Sequence, residues 1–125
     1  MSPLPHPDAA RAALQAHCPA LGASALEVLT HMYSASHLQG TDGEAEVGLT
    51  KISPLQGAVL HQLVRQLGAQ RTLEVGFAYG FSTIWLLDAL PPGGHHVAID
   101  PNERTAYAGV GLRQVERLGA QQRFS

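Results

Sequence analysis

The chain has 125 residues, 45% of them hydrophobic and 14% charged, with a formal net charge of -2. That length allows one domain, and the composition excludes disordered, collagen-like and coiled-coil classes. The eight basic residues are scattered rather than gathered into a patch, which argues against a nucleic-acid partner. A single cysteine, Cys18, excludes an internal disulfide and suits a reducing compartment. The opening Met1-Ser2-Pro3-Leu4-Pro5-His6-Pro7 lacks the charged and apolar regions of a signal peptide. The longest uninterrupted apolar run, Ile84 to Leu87, is far short of the roughly 20 residues that span a bilayer. A soluble cytoplasmic protein without a membrane partner is expected.

Residues 1–7 are proline-rich. Asp8 is placed to N-cap a helix through about His17, which Pro19 stops. Ser24-Ala25-Leu26-Glu27 reads as a capping box, opening a helix to about Ser36 with Leu26, Leu29, Met32 and Tyr33 at helical spacing. Residues 37–50, with Gly40, Asp42, Gly43 and Gly48, read as a loop. A second capping box, Ser53-Pro54-Leu55-Gln56, starts a helix with Leu60, Leu63, Val64 and Leu67 on one face and Gly68 as its stop. Arg71 to Val75 reads as a strand, Gly76 to Gly80 as a tight turn and Ser82 to Leu90 as a helix. His96 to Ile99 forms a second strand ending at Asp100, Glu103 to Leu118 a further helix weakened by Gly109 and Gly111, and Arg123-Phe124-Ser125 the start of a third strand. This alternation predicts an α/β fold with a Rossmann-like parallel sheet, preceded by α-helices.

Chemistry concentrates in Glu74-Val75-Gly76-Phe77-Ala78-Tyr79-Gly80-Phe81-Ser82-Thr83. A strand runs into a glycine turn that opens a helix. Gly76 permits the sharp turn and Gly80 a close backbone approach to a ligand. The helix N-terminus offers free N–H groups and a positive dipole end to an anion, with the Ser82 hydroxyl beside it. Asp100 ends the next strand, where a carboxylate accepts ribose hydroxyls. Together these describe a nucleoside-containing ligand. The dinucleotide fingerprint G-x-G-x-x-G is absent, because Ala78 and Phe81 replace its second and third glycines, and so is the triphosphate loop. Glu74, inside the strand, suits a ligand carrying positive charge, or a salt bridge to Arg71 or Arg123. His95 and His96 are adjacent, so they point to opposite faces of a strand and do not chelate one metal together. Trp85 reads as core in preference to an adenine contact.

The stretch Glu74 to Thr83 resembles motif I of class I S-adenosylmethionine-dependent methyltransferases. Within that class it is similar to the O-methyltransferases related to caffeoyl-CoA O-methyltransferase. Ile52-Ser53-Pro54-Leu55-Gln56-Gly57 resembles that family's lead-in helix, and His96-Val97-Ala98-Ile99-Asp100-Pro101 its second strand with the acidic ribose ligand. The resemblance implies S-adenosylmethionine as cofactor and O-methyl transfer to a small molecule. It implies that Glu74 lies near the methionine amino group or helps order the turn. It implies that Gly76, Phe77 and Gly80 shape the loop under the cofactor, that Ser82 meets the methionine carboxylate and that Asp100 binds the ribose. Thr50, Lys51 and Ile52 fall where the family closes over its cofactor.

In the metal-dependent relatives the metal ligands and the base follow later strands, which would lie beyond residue 125. Catalytic residues and metal dependence are therefore left unassigned. On this expectation residues 1–50 are a helical lead-in and loop. Residues 51–125 hold the N-terminal, truncated part of the Rossmann-like cofactor domain, inactive by itself. A homodimer through the N-terminal helices or the open sheet edge is a further expectation. Two other readings stay open: a fragment of an NAD(P)-dependent oxidoreductase, and a non-catalytic interaction module.

Overall fold

A computed structural model describes residues 3–48 and 50–125. Met1 and Ser2, which open the proline-rich segment, and Leu49, in the expected loop, lie outside the described residues. The chain folds as α1 (Pro7–His17), α2 (Ala23–Ser34), β1 (His37–Gly40), β2 (Gly43–Glu46), α3 (Pro54–Leu67), β3 (Arg71–Val75), α4 (Phe81–Ala89), β4 (His95–Ile99), α5 (Val110–Leu118) and a 3-10 turn (Gln121–Arg123).

The parallel pair β3–β4 is in register Arg71↔His95 through Val75↔Ile99. Phe124 adds a parallel bridge to His96 on the far side of β4. Ser125 N donates to His96 O at 3.0 Å and Ala98 N to Ser125 O at 2.9 Å. The expected third strand is present only as this bridge at Phe124, because Arg123 closes a 3-10 turn, and β3 lies at the opposite edge. α4 is buried nearly all round, with Ile84, Trp85 and Leu87 at 0% exposure, as a helix without a polar face must be. One apolar cluster joins Leu14, Leu29 and Met32 of the N-terminal helices to Ile84 and Trp85 of α4 and Val110 of α5. A second clamp is polar: His61 Nε2 of α3 and Asp88 Oδ2 of α4 lie 2.8 Å apart, and the same oxygen accepts from Gly22 N at 3.1 Å.

Several local expectations change. The cap of α1 is His6, whose ring accepts from Asp8 N, with Pro7 at the first helical position and Asp8 inside the first turn. α2 begins at Ala23, with Gly22 as its cap, so the Ser24–Glu27 box does not form. Glu27 instead pairs with Arg11 at 2.5 Å. The Ser53–Gln56 box does form, with both of its bonds present. Residues 37–46 are an antiparallel hairpin rather than a loop. Its tip is held by Thr41 N to Gly109 O at 3.2 Å and Asp42 N to Ala108 O at 2.9 Å. The last predicted helix starts at Val110, not at Glu103. Ala108 and Gly109 take positive φ angles of 52° and 69°, which interrupt a right-handed helix.

Candidate functional site

The site sits where β3 and β4 end and α4 begins. Gly76, at φ 92°, leaves β3 with its N–H bonded to Ile99 O at 2.8 Å. An added Cβ there would meet nothing within 4 Å, so the positive φ, not crowding, selects glycine. Ala78 follows at φ 51°, a conformation uncommon for a residue with a Cβ and one that clusters at ligand sites. Gly80 caps α4 at φ 90°, and among the described residues no side chain makes a cap hydrogen bond to the first turn. A Cβ on Gly80 would press on Gly111 Cα at 3.1 Å. The helix N-terminus is therefore uncapped by side chains, the arrangement that receives an anion.

Asp100 closes the turn from the β4 side. Its Oδ2 accepts from Phe77 N and Ala78 N, both at 3.0 Å, and its Oδ1 from Asn102 N at 2.9 Å. Burial works against its charge, but the bonds from Ala78, Asn102 and Phe77 outweigh burial and hold the carboxyl below the usual carboxylate range. A carboxylate offers about four lone-pair positions, so one acceptor direction stays open on Oδ1.

Glu74 lies beneath the turn. Its Oε1 accepts from His96 Nε2 at 2.9 Å and from Thr83 Oγ1, and its Oε2 from Ser82 Oγ at 2.6 Å. Neither Arg71 nor Arg123 is its partner. Arg123 bonds Leu87 O at 3.2 Å. The Ser82 hydroxyl hydrogen is thus engaged by Glu74 within the chain. The Phe77 side chain turns inward, its ring 5.1 Å from that of Phe124. The structure thus brings Glu74, Gly76, Phe77, Gly80, Ser82 and Asp100 to one end of the sheet.

Three neighbours were not read from the sequence as site residues. His96 was weighed only as a metal ligand. It is fully buried and bonds Thr72 Oγ1 at 2.8 Å as well as Glu74. The signal was available, since Thr72 and Glu74 alternate on one strand and His96 and Ala98 on its partner. Tyr79 fixes the segment before α3, its hydroxyl accepting from Gly48 N at 3.1 Å. Glu103, in the turn after Asp100, is 7% exposed, with Oε1 on Gly111 N at 2.8 Å and Oε2 without a partner. Burial pushes its carboxyl up to about 7 against the Gly111 and Leu112 N–H groups, and the Asp100 charge adds to the rise.

Tyr33 donates to Ile52 O at 2.8 Å, and burial pushes its phenol up to about 12 although Trp85 donates to it. Trp85 is core: an added Cβ on Gly57 would lie 2.1 Å from its ring. The Lys51 ammonium stands 5.8 Å from the centre of the Phe81 ring. Among the described residues, no group of three or more His, Cys, Asp and Glu side chains is placed to hold a metal ion, and no helix is long and apolar enough to cross a membrane.

A parallel strand pair, a glycine turn opening a helix, and an acid ending the second strand define a Rossmann-type nucleoside site. Residues 26–125 match the O-methyltransferase family model, and the chain belongs to that family. It is 34% identical over 84 residues to a catechol O-methyltransferase of Niastella koreensis, covering 66% of this chain and 37% of that protein. Among solved structures, it resembles the O-methyltransferase TomG of Streptomyces achromogenes, in complex with S-adenosylmethionine. The identity is 35% and the TM-score 0.55, over 59% of this chain and 32% of that one. It also resembles an O-methyltransferase of Bacillus cereus, in complex with S-adenosylhomocysteine. There the identity is 28% and the TM-score 0.63, over 96% of this chain and 50% of that one. The chain thus spans half or less of the length of these relatives.

Proposed function

We propose that the chain is the cofactor-binding part of an S-adenosylmethionine-dependent methyltransferase that acts on a hydroxyl of a small molecule. The observation that supports it best is the uncapped α4 N-terminus facing Asp100 across the Gly76–Gly80 turn. These residues fit such a cofactor. The N–H groups of α4 receive its carboxylate, the open Oδ1 direction of Asp100 receives a ribose hydroxyl, and Gly76 leaves room for the ligand backbone to pass. Glu74 orders the turn through Ser82 and Thr83 and keeps one acceptor direction at Oε2. The bound cofactor supplies an electrophilic methyl group on a sulfonium. The residues named here bind and orient it for in-line attack. None of them is placed as the base that takes the acceptor's proton.

Support against a nicotinamide cofactor comes from the turn itself, where Ala78 and Phe81 stand at the fingerprint glycine positions. Thermal melting separates the readings. S-adenosylhomocysteine is expected to raise Tm while NAD does not, and the reverse result overturns the proposal. For partners, we propose self-association through the open edge of β3. Leu73 and Val75 are exposed there, and Leu55, Val59, Leu63 and Leu67 form an exposed stripe on α3. Light scattering that returns a monomer at all concentrations contradicts that part. A cytoplasmic setting is proposed on the single free, buried cysteine, Cys18.

A further inference from the structure

We infer that His96 is a positioning residue for the amino-acid end of the cofactor, acting through Glu74, an inference that rests on the cofactor reading above. The parallel register sets Thr72 beside His96 and Glu74 beside Ala98. Side chains alternate along a strand, so Thr72 and Glu74 share one face of β3, and the His96 ring reaches both. It lies 2.8 Å from Thr72 Oγ1 through Nδ1 and 2.9 Å from Glu74 Oε1 through Nε2. One arrangement satisfies every atom. The Thr72 hydroxyl donates to Nδ1, which leaves the proton on Nε2, and Nε2 donates to Glu74.

The ring is fully buried, with the Phe124 ring 6.1 Å away and tilted by 31°. Water therefore cannot replace either bond. His96 and Thr83 hold Oε1 on the inside of the sheet, and Ser82 takes one position on Oε2. A carboxylate pinned in this way cannot rotate to exchange its oxygens. The acceptor direction that remains belongs to Oε2, the oxygen bonded to Ser82 in the first turn of α4, and the Glu74 side chain is 13% exposed. That direction lies beside the N–H groups proposed for the carboxylate of the ligand. A zwitterionic amino-acid end meets both signs at once: helix N–H groups for its carboxylate and a fixed Oε2 for its ammonium. An apolar side chain at position 96 would fill the space but remove a buried donor from Oε1, leaving the carboxylate free to turn inward.

The test compares two ligands that share a nucleoside. S-adenosylhomocysteine carries the amino-acid end, and 5′-methylthioadenosine lacks it. In calorimetric titrations, His96→Leu is expected to weaken S-adenosylhomocysteine about tenfold, the loss of one bond to a charged group, and to leave 5′-methylthioadenosine within about twofold. His96→Gln, whose amide nitrogen reaches the Nε2 position, is expected to restore most of the S-adenosylhomocysteine affinity. Equal losses for the two ligands, or no loss for either, overturn the inference and reduce His96 to a packing residue. If His96→Leu does not fold, Thr72→Val carries the same comparison: a loss confined to S-adenosylhomocysteine supports the inference and a uniform loss or none overturns it. Failure of the unaltered chain to bind S-adenosylhomocysteine overturns the cofactor reading itself and this inference with it.

Discussion

Two turns leave the two parallel strands, and they are built alike. Residues 76–80 follow β3 and residues 100–109 follow β4. Each contains an alanine at positive φ, Ala78 at 51° and Ala108 at 52°, and each ends on a left-handed glycine that caps the next helix, Gly80 at 90° and Gly109 at 69°. They differ in what meets the helix N-terminus. At α5 the chain fills it with its own carboxylate, Glu103 on Gly111 N, and the β1–β2 hairpin seals the carbonyls of Ala108 and Gly109. At α4 no side chain caps the first turn, and Asp100 holds the N–H groups just before it. The same backbone device therefore anchors the chain at one strand end and leaves the helix N-terminus open at the other, where ligand binding is proposed. The choice between them rests on one carboxylate.

The largest expected effect breaks the closed turn. Burial raises the Glu103 carboxyl from the ordinary 4.5 to about 7. The folded state thus holds a proton that the unfolded state has released. Stability is full below about pH 4.5 and falls as pH rises toward 7, by on the order of 3 kcal/mol. Urea midpoints between about pH 4 and 8 should show that decline. Glu103→Gln cannot ionise, so its profile over this window should be flatter and its midpoint at pH 8 higher.

The next effect breaks the open turn. Asp100→Asn keeps the shape but loses the charge and turns one oxygen into a donor. The Phe77 and Ala78 bonds weaken, and so does the proposed ribose contact. Affinity for S-adenosylhomocysteine should fall by between about tenfold and a hundredfold, and Tm should fall as well. Gly80→Ala then probes the backbone: positive φ and the 3.1 Å approach to Gly111 Cα should cost about 1–2 kcal/mol in urea unfolding. Smallest is Leu63→Gln on the exposed α3 stripe, where the side chain is 48% exposed. Its stability should stay within about 0.5 kcal/mol of the unaltered chain, while association by light scattering weakens.

The parallel pair, the glycine turn, the buried α4 and the bridge at Phe124 were legible in the sequence. Glycine spacing, the Ser53 capping box and the run of apolar residues carry strong local signals. The hairpin at 37–46 was not. His-Leu-Gln-Gly and Gly-Glu-Ala-Glu have little strand propensity, and tertiary bonds to Ala108 and Gly109 hold them. The late start of α5 was missed for the mirror-image reason, since those same bonds hold Ala108 and Gly109 in left-handed backbone. At the site, residue types and order were legible, but partners were not. Glu74 meets His96 only because the strands pair in one register, and Glu103 is buried only because α5 begins seven residues after it.

The turn after β3 is proposed as a cofactor site whose affinity depends on Asp100. Calorimetric titration of the unaltered chain and of Asp100→Asn with S-adenosylhomocysteine tests it most directly. The account predicts saturable one-to-one binding by the unaltered chain and a loss of at least about tenfold in the variant, with both proteins folded by circular dichroism. Equal affinity in the two proteins, or no binding by the unaltered chain, would contradict it.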